Sequence, residues 1–168
     1  MKAWIQKHSI LLTLLLVIAV MAMIYGFSAQ TGEQSGAMSG KLTTWVINLF
    51  VPDFDNMTEE NQESLRYTVG FLIRKTAHFL EYALLGFSLM LHIAQIEKKI
   101  VVRLPWLWAW VIGTLYAAGD EFHQSFVAGR GPSVRDVMID SSGVIAGVLL
   151  IMWILRRRKQ RLAILKKM

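Results

Sequence analysis

The chain has 168 residues, 54% of them hydrophobic, with a mean hydropathy of +0.42, too apolar for an ordinary soluble domain and short enough for one unit. It contains no cysteine, which excludes disulfides, thiol catalysis and cysteine-ligated zinc. The net charge of +6 lies in short blocks beside apolar runs rather than over one face, which fits a membrane protein with oriented loops and not a nucleic-acid binder.

Four apolar stretches reach the roughly 20 residues that a helix needs to cross a bilayer. The first, about 9–27, follows Lys2 and Lys7, and Val20-Met21-Ala22 resembles a signal-peptide cleavage context. Its apolar run is longer than a signal core, so an uncleaved span is expected. In the segment from Ser28 to Gly70, Leu42, Trp45, Val46, Leu49 and Phe50 recur at helical spacing. They predict an amphipathic helix over about 41–50 lying in the membrane interface, ended by Pro52. Asn56 to Glu59 has the spacing of a capping box, from which a helix can run unbroken into a second span at about 71–95. Further spans are expected at about 104–124 and 136–155, with a basic helical tail over 156–168 in the cytosol or along anionic head groups.

The basic residues set the orientation. With both termini inside, the cytoplasmic side carries Lys2, Lys7, Lys98, Lys99, Arg103, Arg156, Arg157, Arg158, Lys159, Arg161, Lys166 and Lys167, with Glu97 the one acidic residue. Most acidic residues (Glu33, Asp53, Asp55, Glu59, Glu60 and Glu63) fall in the first external loop. The expected fold is a single all-α integral membrane domain over 1–168. It is a four-transmembrane-helix bundle with N and C termini cytoplasmic and an interfacial helix in the first extracytoplasmic loop.

Within or beside these spans stand Arg74, Lys75, His78, Glu81, Asp120, Glu121, His123, Arg130, Arg135, Asp136 and Asp140. A charge at mid-membrane costs about 2.5–3.5 kcal/mol on insertion scales, so such residues are retained when they pair or serve a function. Counting about 20 residues outward from each cytoplasmic boundary, at ~1.5 Å each, brings all of them to the outer ends of spans two to four. Arg74, His78 and Glu81 share a helical face. Asp120 and Gln124 continue the face of Gly113 and Ala117, and Asp136 and Asp140 that of Gly143 and Gly147, a spacing that allows close helix approach. A polar pocket opening outward is the expectation. Lys75, on another face, is expected to snorkel to head groups.

The run Arg74-Lys75-Thr76-Ala77-His78-Phe79-Leu80-Glu81-Tyr82 resembles the signature of VanZ-like membrane proteins, the teicoplanin-resistance family. So does Asp120-Glu121-Phe122-His123-Gln124-Ser125-Phe126 with Gly129-Arg130 and Arg135-Asp136-Val137 through Asp140. Phe27-Ser28-Ala29-Gln30 with Ser35 is similar to the family's short motif after the first helix. The resemblance implies a multi-pass protein of the bacterial cytoplasmic membrane acting in the cell envelope, whose namesake is associated with low-level teicoplanin resistance. Members often have Pro where Ala128 stands, a change expected to alter loop stiffness and not chemistry.

Three readings of the polar set remain open. In the first, Arg74, Lys75, Arg130 and Arg135, with Lys75 the weakest member, bind an anionic envelope ligand, a lipid-linked phosphate or the glycopeptide itself, because guanidinium forks match phosphate and carboxylate. Its ligand-binding set is Arg74, His78, Glu81, Asp120, Glu121, His123, Gln124, Arg130, Arg135, Asp136 and Asp140. In the second, His78, Glu81, Asp120, Glu121, His123 and Asp140 serve a hydrolase or transferase on lipid-linked phosphate, by metal or acid–base chemistry. Neither His-Glu-x-x-His nor Pro-Ser-Gly-His is present, no metal ligand set is assigned, and no motif names a cofactor. In the third, the network only fixes helix pairing. A transporter is disfavoured because the polar layer has no path to the inner side. A triad of Ser125, His123 and Asp120 fails because these side chains point apart on one helix.

Overall fold

A computed structural model describes residues 2–96 and 103–165, with side chains from residue 8 onward. Among the described residues every regular element is helical: α1 (Lys2–Ser28), α2 (Gly32–Phe50), a 3-10 turn (Phe54–Asn56), α3 (Glu59–Ile96), α4 (Pro105–Gln124) and α5 (Val134–Leu165). Lys98, Lys99, Lys166, Lys167, Glu97 and the side chains of Lys2 and Lys7, all used in the charge-orientation argument, lie outside the described residues.

His8–Ser28, Glu59–Ile96 and Val134–Leu165 are long and apolar enough to cross a membrane. The expected third span is different. α4 has 20 residues, enough length, but it falls short in apolarity, because Trp106, Trp108, Trp110, Tyr116, Asp120 and Glu121 replace the aliphatic residues that fill α1.

Two helix starts differ from expectation. α2 begins at Gly32, not near 41, because Thr31 and Gln34 close a capping box: the Gln34 N–H donates to Thr31 Oγ1 at 3.2 Å and the Thr31 N–H to Gln34 Oε1 at 3.0 Å. At α3, Asn56 is not the cap. It ends the 3-10 turn, and Thr58 takes the position, its hydroxyl accepting from the Asn61 N–H at 3.4 Å. α2 stops at Phe50, two residues before Pro52, and α3 runs unbroken to Ile96. The stripe Leu42, Trp45, Leu49 and Phe50 is exposed, while Thr43 and Ile47 are buried. Ser39 meets Arg74, and Thr43 meets Gly70, so α2 lies antiparallel along the first half of α3.

α3 is the central helix and packs against all four others. Its closest neighbour is α5, and small residues set the distance. A Cβ on Gly143 or Gly147 would collide with the carbonyls of Phe79 or Ala83, and one on Gly86 with the Val144 backbone. A Cβ on Gly113 would come within 2.7 Å of Val144, so α4 joins the same seam. The core along it includes Leu85, Leu89, Ala117, Val144 and Val148. The outer faces are apolar as well, with Leu12, Leu15, Leu149, Leu150 and Trp153 exposed, the inverse of a soluble bundle. Tyr116 Oη donates to the Met21 carbonyl at 2.7 Å and fastens α4 to α1. Beyond the core α5 continues as a helix through exposed Arg156, Arg157, Arg158, Lys159 and Arg161.

Candidate functional site

The ends of α1 and α4 and the starts of α2 and α5 meet beside the middle of α3. Two backbone features hold this junction. The Gly32 N–H donates to the Ala128 carbonyl at 3.0 Å, and Gly129 adopts φ +73°, which a side chain would strain. A Cβ on Gly32 would strike the Gly129 carbonyl, so both glycines are required for the contact. Arg130 follows immediately and donates from Nε to the Gln30 carbonyl at 3.2 Å. The α1–α2 link and the α4–α5 loop thus hold each other.

Arg130 forms one wall of a cleft of about 210 Å³ between α2 and α3. The cleft is lined by Phe27, Gln30, Ser35, Met38, Ser39 and Leu42 from the α1–α2 side, and by Ile73, Arg74, Ala77, His78 and Glu81 from α3. Arg74, His78 and Glu81 are at i, i+4 and i+7, so one helical face delivers all three. Arg74 donates from Nη1 to Ser39 Oγ at 3.3 Å. Among the described residues neither Arg74 nor Arg130 has a carboxylate within ion-pairing distance. Burial, and then the neighbouring Arg74 guanidinium, push Arg130 below its ordinary pKa. The carboxylates of Glu121, Asp120 and Glu81 act in the opposite direction, so the two like charges share a partly desolvated place that is neutralised only in part.

Behind the cleft lies a buried carboxylate layer. Asp120, Glu121, Gln124 and Asp140 are all at most 5% exposed. Gln124 Nε2 donates to Asp120 Oδ2 at 3.2 Å, and Glu121 Oε2 accepts from the Ser133 N–H at 2.9 Å, which ties down the α4–α5 loop. Asp140 stands 3.9 Å from His78 Nδ1, too far for a hydrogen bond. Both Asp140 oxygens and His78 Nδ1 are buried without a hydrogen-bond partner among the described residues. His78 thus borders the cleft on one side and the carboxylate layer on the other.

The remaining candidates stand apart. Lys75 does not reach for head groups: its Nζ donates to Asp136 Oδ1 at 2.6 Å, an ion pair between α3 and α5. Arg135 lies over the Phe71 ring, 5.7 Å from its centroid, and does not line the cleft. His123 packs on Tyr25, with ring centroids 4.8 Å apart. Ser125 Oγ donates back to the Phe122 carbonyl at 2.6 Å, as a residue at a helix end does. Among the described residues no three His, Asp or Glu side chains form a group that could hold a metal ion. Sequence reasoning missed Ser39 and Met38. Ser39 stands one helical turn beyond Ser35, and that spacing is the signal that places both hydroxyls on the cleft.

A model of the VanZ/LLP1 family matches residues 13–156. The chain belongs to that family. No curated protein and no solved structure matches it. The VanZ/LLP1 match spans the end of α1, all of α2, α3 and α4, and α5 as far as Arg156, so every residue of the cleft and of the layer behind it lies within the family region.

Proposed function

We propose that this VanZ/LLP1 protein is an envelope protein of the bacterial cytoplasmic membrane whose cleft binds an anionic envelope ligand, a lipid-linked phosphate or similar. We further propose that this binding underlies glycopeptide resistance of the teicoplanin type. The observation that carries the reading is the pair Arg74 and Arg130, two guanidiniums in one cleft whose protein partners there are a hydroxyl and a carbonyl. Neutral partners leave donors and charge available, and guanidinium forks match phosphate oxygens. In this account four helices cross the bilayer, both termini are cytoplasmic, the cleft opens outward and α2 lies at the outer interface.

The test replaces Arg74 or Arg130 with Gln in the full-length protein and reads teicoplanin susceptibility beside membrane levels. The expected outcome is loss of resistance with membrane levels unchanged. Loss of the protein itself from the membrane in both variants would make the arginines structural and contradict the proposal.

The second reading, a hydrolase or transferase on the same ligand, draws support from His78 and Glu81, an imidazole and a carboxylate on the wall that also carries Arg74. Phosphate release from a lipid-linked substrate, lost in Glu81→Gln, would establish it. Binding without turnover would end it.

A further inference from the structure

The polar cleft does not close on its apolar side. Leu42, Ile73 and Ala77, which line it, also line a second groove on the outer face of the α2–α3 pair. That groove holds about 420 Å³ and runs along α3 from Val69 to Leu80, with Val46 of α2 on its opposite wall. From Val69 to Leu80, eleven steps along α3, the helix rises about 17 Å, enough for a considerable length of hydrocarbon. Its sides are aliphatic apart from Thr76, and Leu42, Leu72 and Leu80 are exposed. The two depressions adjoin side by side along Leu42, Ile73 and Ala77, one carrying Arg74 and Arg130 and the other apolar.

We infer that the cleft and the groove together hold a phosphate-headed lipid, the phosphate at Arg74 and Arg130 and one hydrocarbon chain in the groove between α2 and α3. The inference rests on the anion-binding reading above and adds the chain site. Charge complementarity selects the head group, and the shared wall of Leu42, Ile73 and Ala77 places the chain beside it. An aqueous phosphate would use the cleft alone and gain nothing from the groove. A lipid makes contacts in both, its phosphate with the guanidiniums and its chain with the groove wall.

The test uses the full-length protein in nanodiscs of neutral phosphatidylcholine and two probes. One is a hexadecyl phosphate with a photoreactive group in mid-chain, and the other is inorganic phosphate. Cross-links are expected at 42–46 of α2 and 69–80 of α3. Val69→Trp, which fills part of the groove and does not line the cleft, is expected to cut capture of the alkyl phosphate several-fold, because the indole takes the space of the chain, and to leave inorganic phosphate binding unchanged. Leu72→Ser, at a more exposed position, should weaken capture in the same direction and serves where tryptophan disturbs folding. Arg74→Gln should weaken both probes. Inorganic phosphate binding that depends on Arg74, with the chain cross-linked elsewhere or indifferent to both groove variants, overturns the chain site and leaves the anion site standing. Indifference of both probes to Arg74→Gln overturns the two together.

Discussion

At the scale of single residues, helical phase was a sound guide within one helix and silent between helices. The i, i+4, i+7 spacing of Arg74, His78 and Glu81 is enough to set them on one face, and all three line the cleft. The same rule put Lys75 on another face and suggested snorkelling. It carries no information on what faces that side, which is Asp136, 61 residues away in sequence. Pairing between distant helices depends on their rotation and separation, which hydrophobic periodicity does not encode. The Lys75–Asp136 pair is about one-fifth to one-quarter exposed at each side chain, so it is desolvated enough to matter. A double-mutant cycle with Lys75→Met and Asp136→Leu, read by thermal unfolding in detergent, should give a coupling of about 1–2 kcal/mol. Each single variant should be less stable than the double. Additive losses would mean that the two charges do not act as a pair.

At the scale of elements, spacing and punctuation were legible where local chemistry decides and illegible where it competes. Pro52 stops α2 as expected, and the Gly143–Gly147 spacing marks a close approach that the structure gives to α3. Two signals compete at the start of α3. Asn56 to Glu59 reads as a capping box, but a 3-10 turn consumes Asn56 and leaves Thr58 to cap. The start of α2 was missed because residues 32–40 are rich in Gly and Ser, which weakens a helical reading until the Thr31–Gln34 box is seen. The seam makes a direct prediction. Gly147→Ala places a methyl against the Ala83 carbonyl and should destabilise the protein by about 1–3 kcal/mol. Gly119, also helical, has open space around it, so Gly119→Ala should be neutral or stabilising by about 0.5–1 kcal/mol. Unfolding midpoints in one detergent check both. Equal effects would remove the seam from the account of α3–α5 packing.

At the scale of the whole molecule, composition and hydropathy set the class, and three helices meet both the length and the apolarity of a span. α4 has the length alone, because its tryptophans and its carboxylate pair lower its apolarity while its buried face carries the polar layer. That composition sets α4 apart from the three more apolar helices. The four-span account is tested by orientation. The chain lacks cysteine, so single cysteines at Ser9, Asn48, Arg103 and Arg161 can be read in intact cells with a membrane-impermeant thiol reagent. Asn48 alone should label before lysis. Labelling of Arg103→Cys from outside would place α4 and the loop before it wrongly.

The central claim is that Arg74 and Arg130 form one anion site, and binding of an alkyl phosphate to the full-length protein in neutral nanodiscs, compared with Arg130→Gln, tests it most directly. Loss of a charge-assisted contact worth roughly 1.5–3 kcal/mol predicts affinity reduced by about ten-fold or more, in a protein that still folds. Equal affinity in the two proteins, or no saturable binding in either, would contradict the claim.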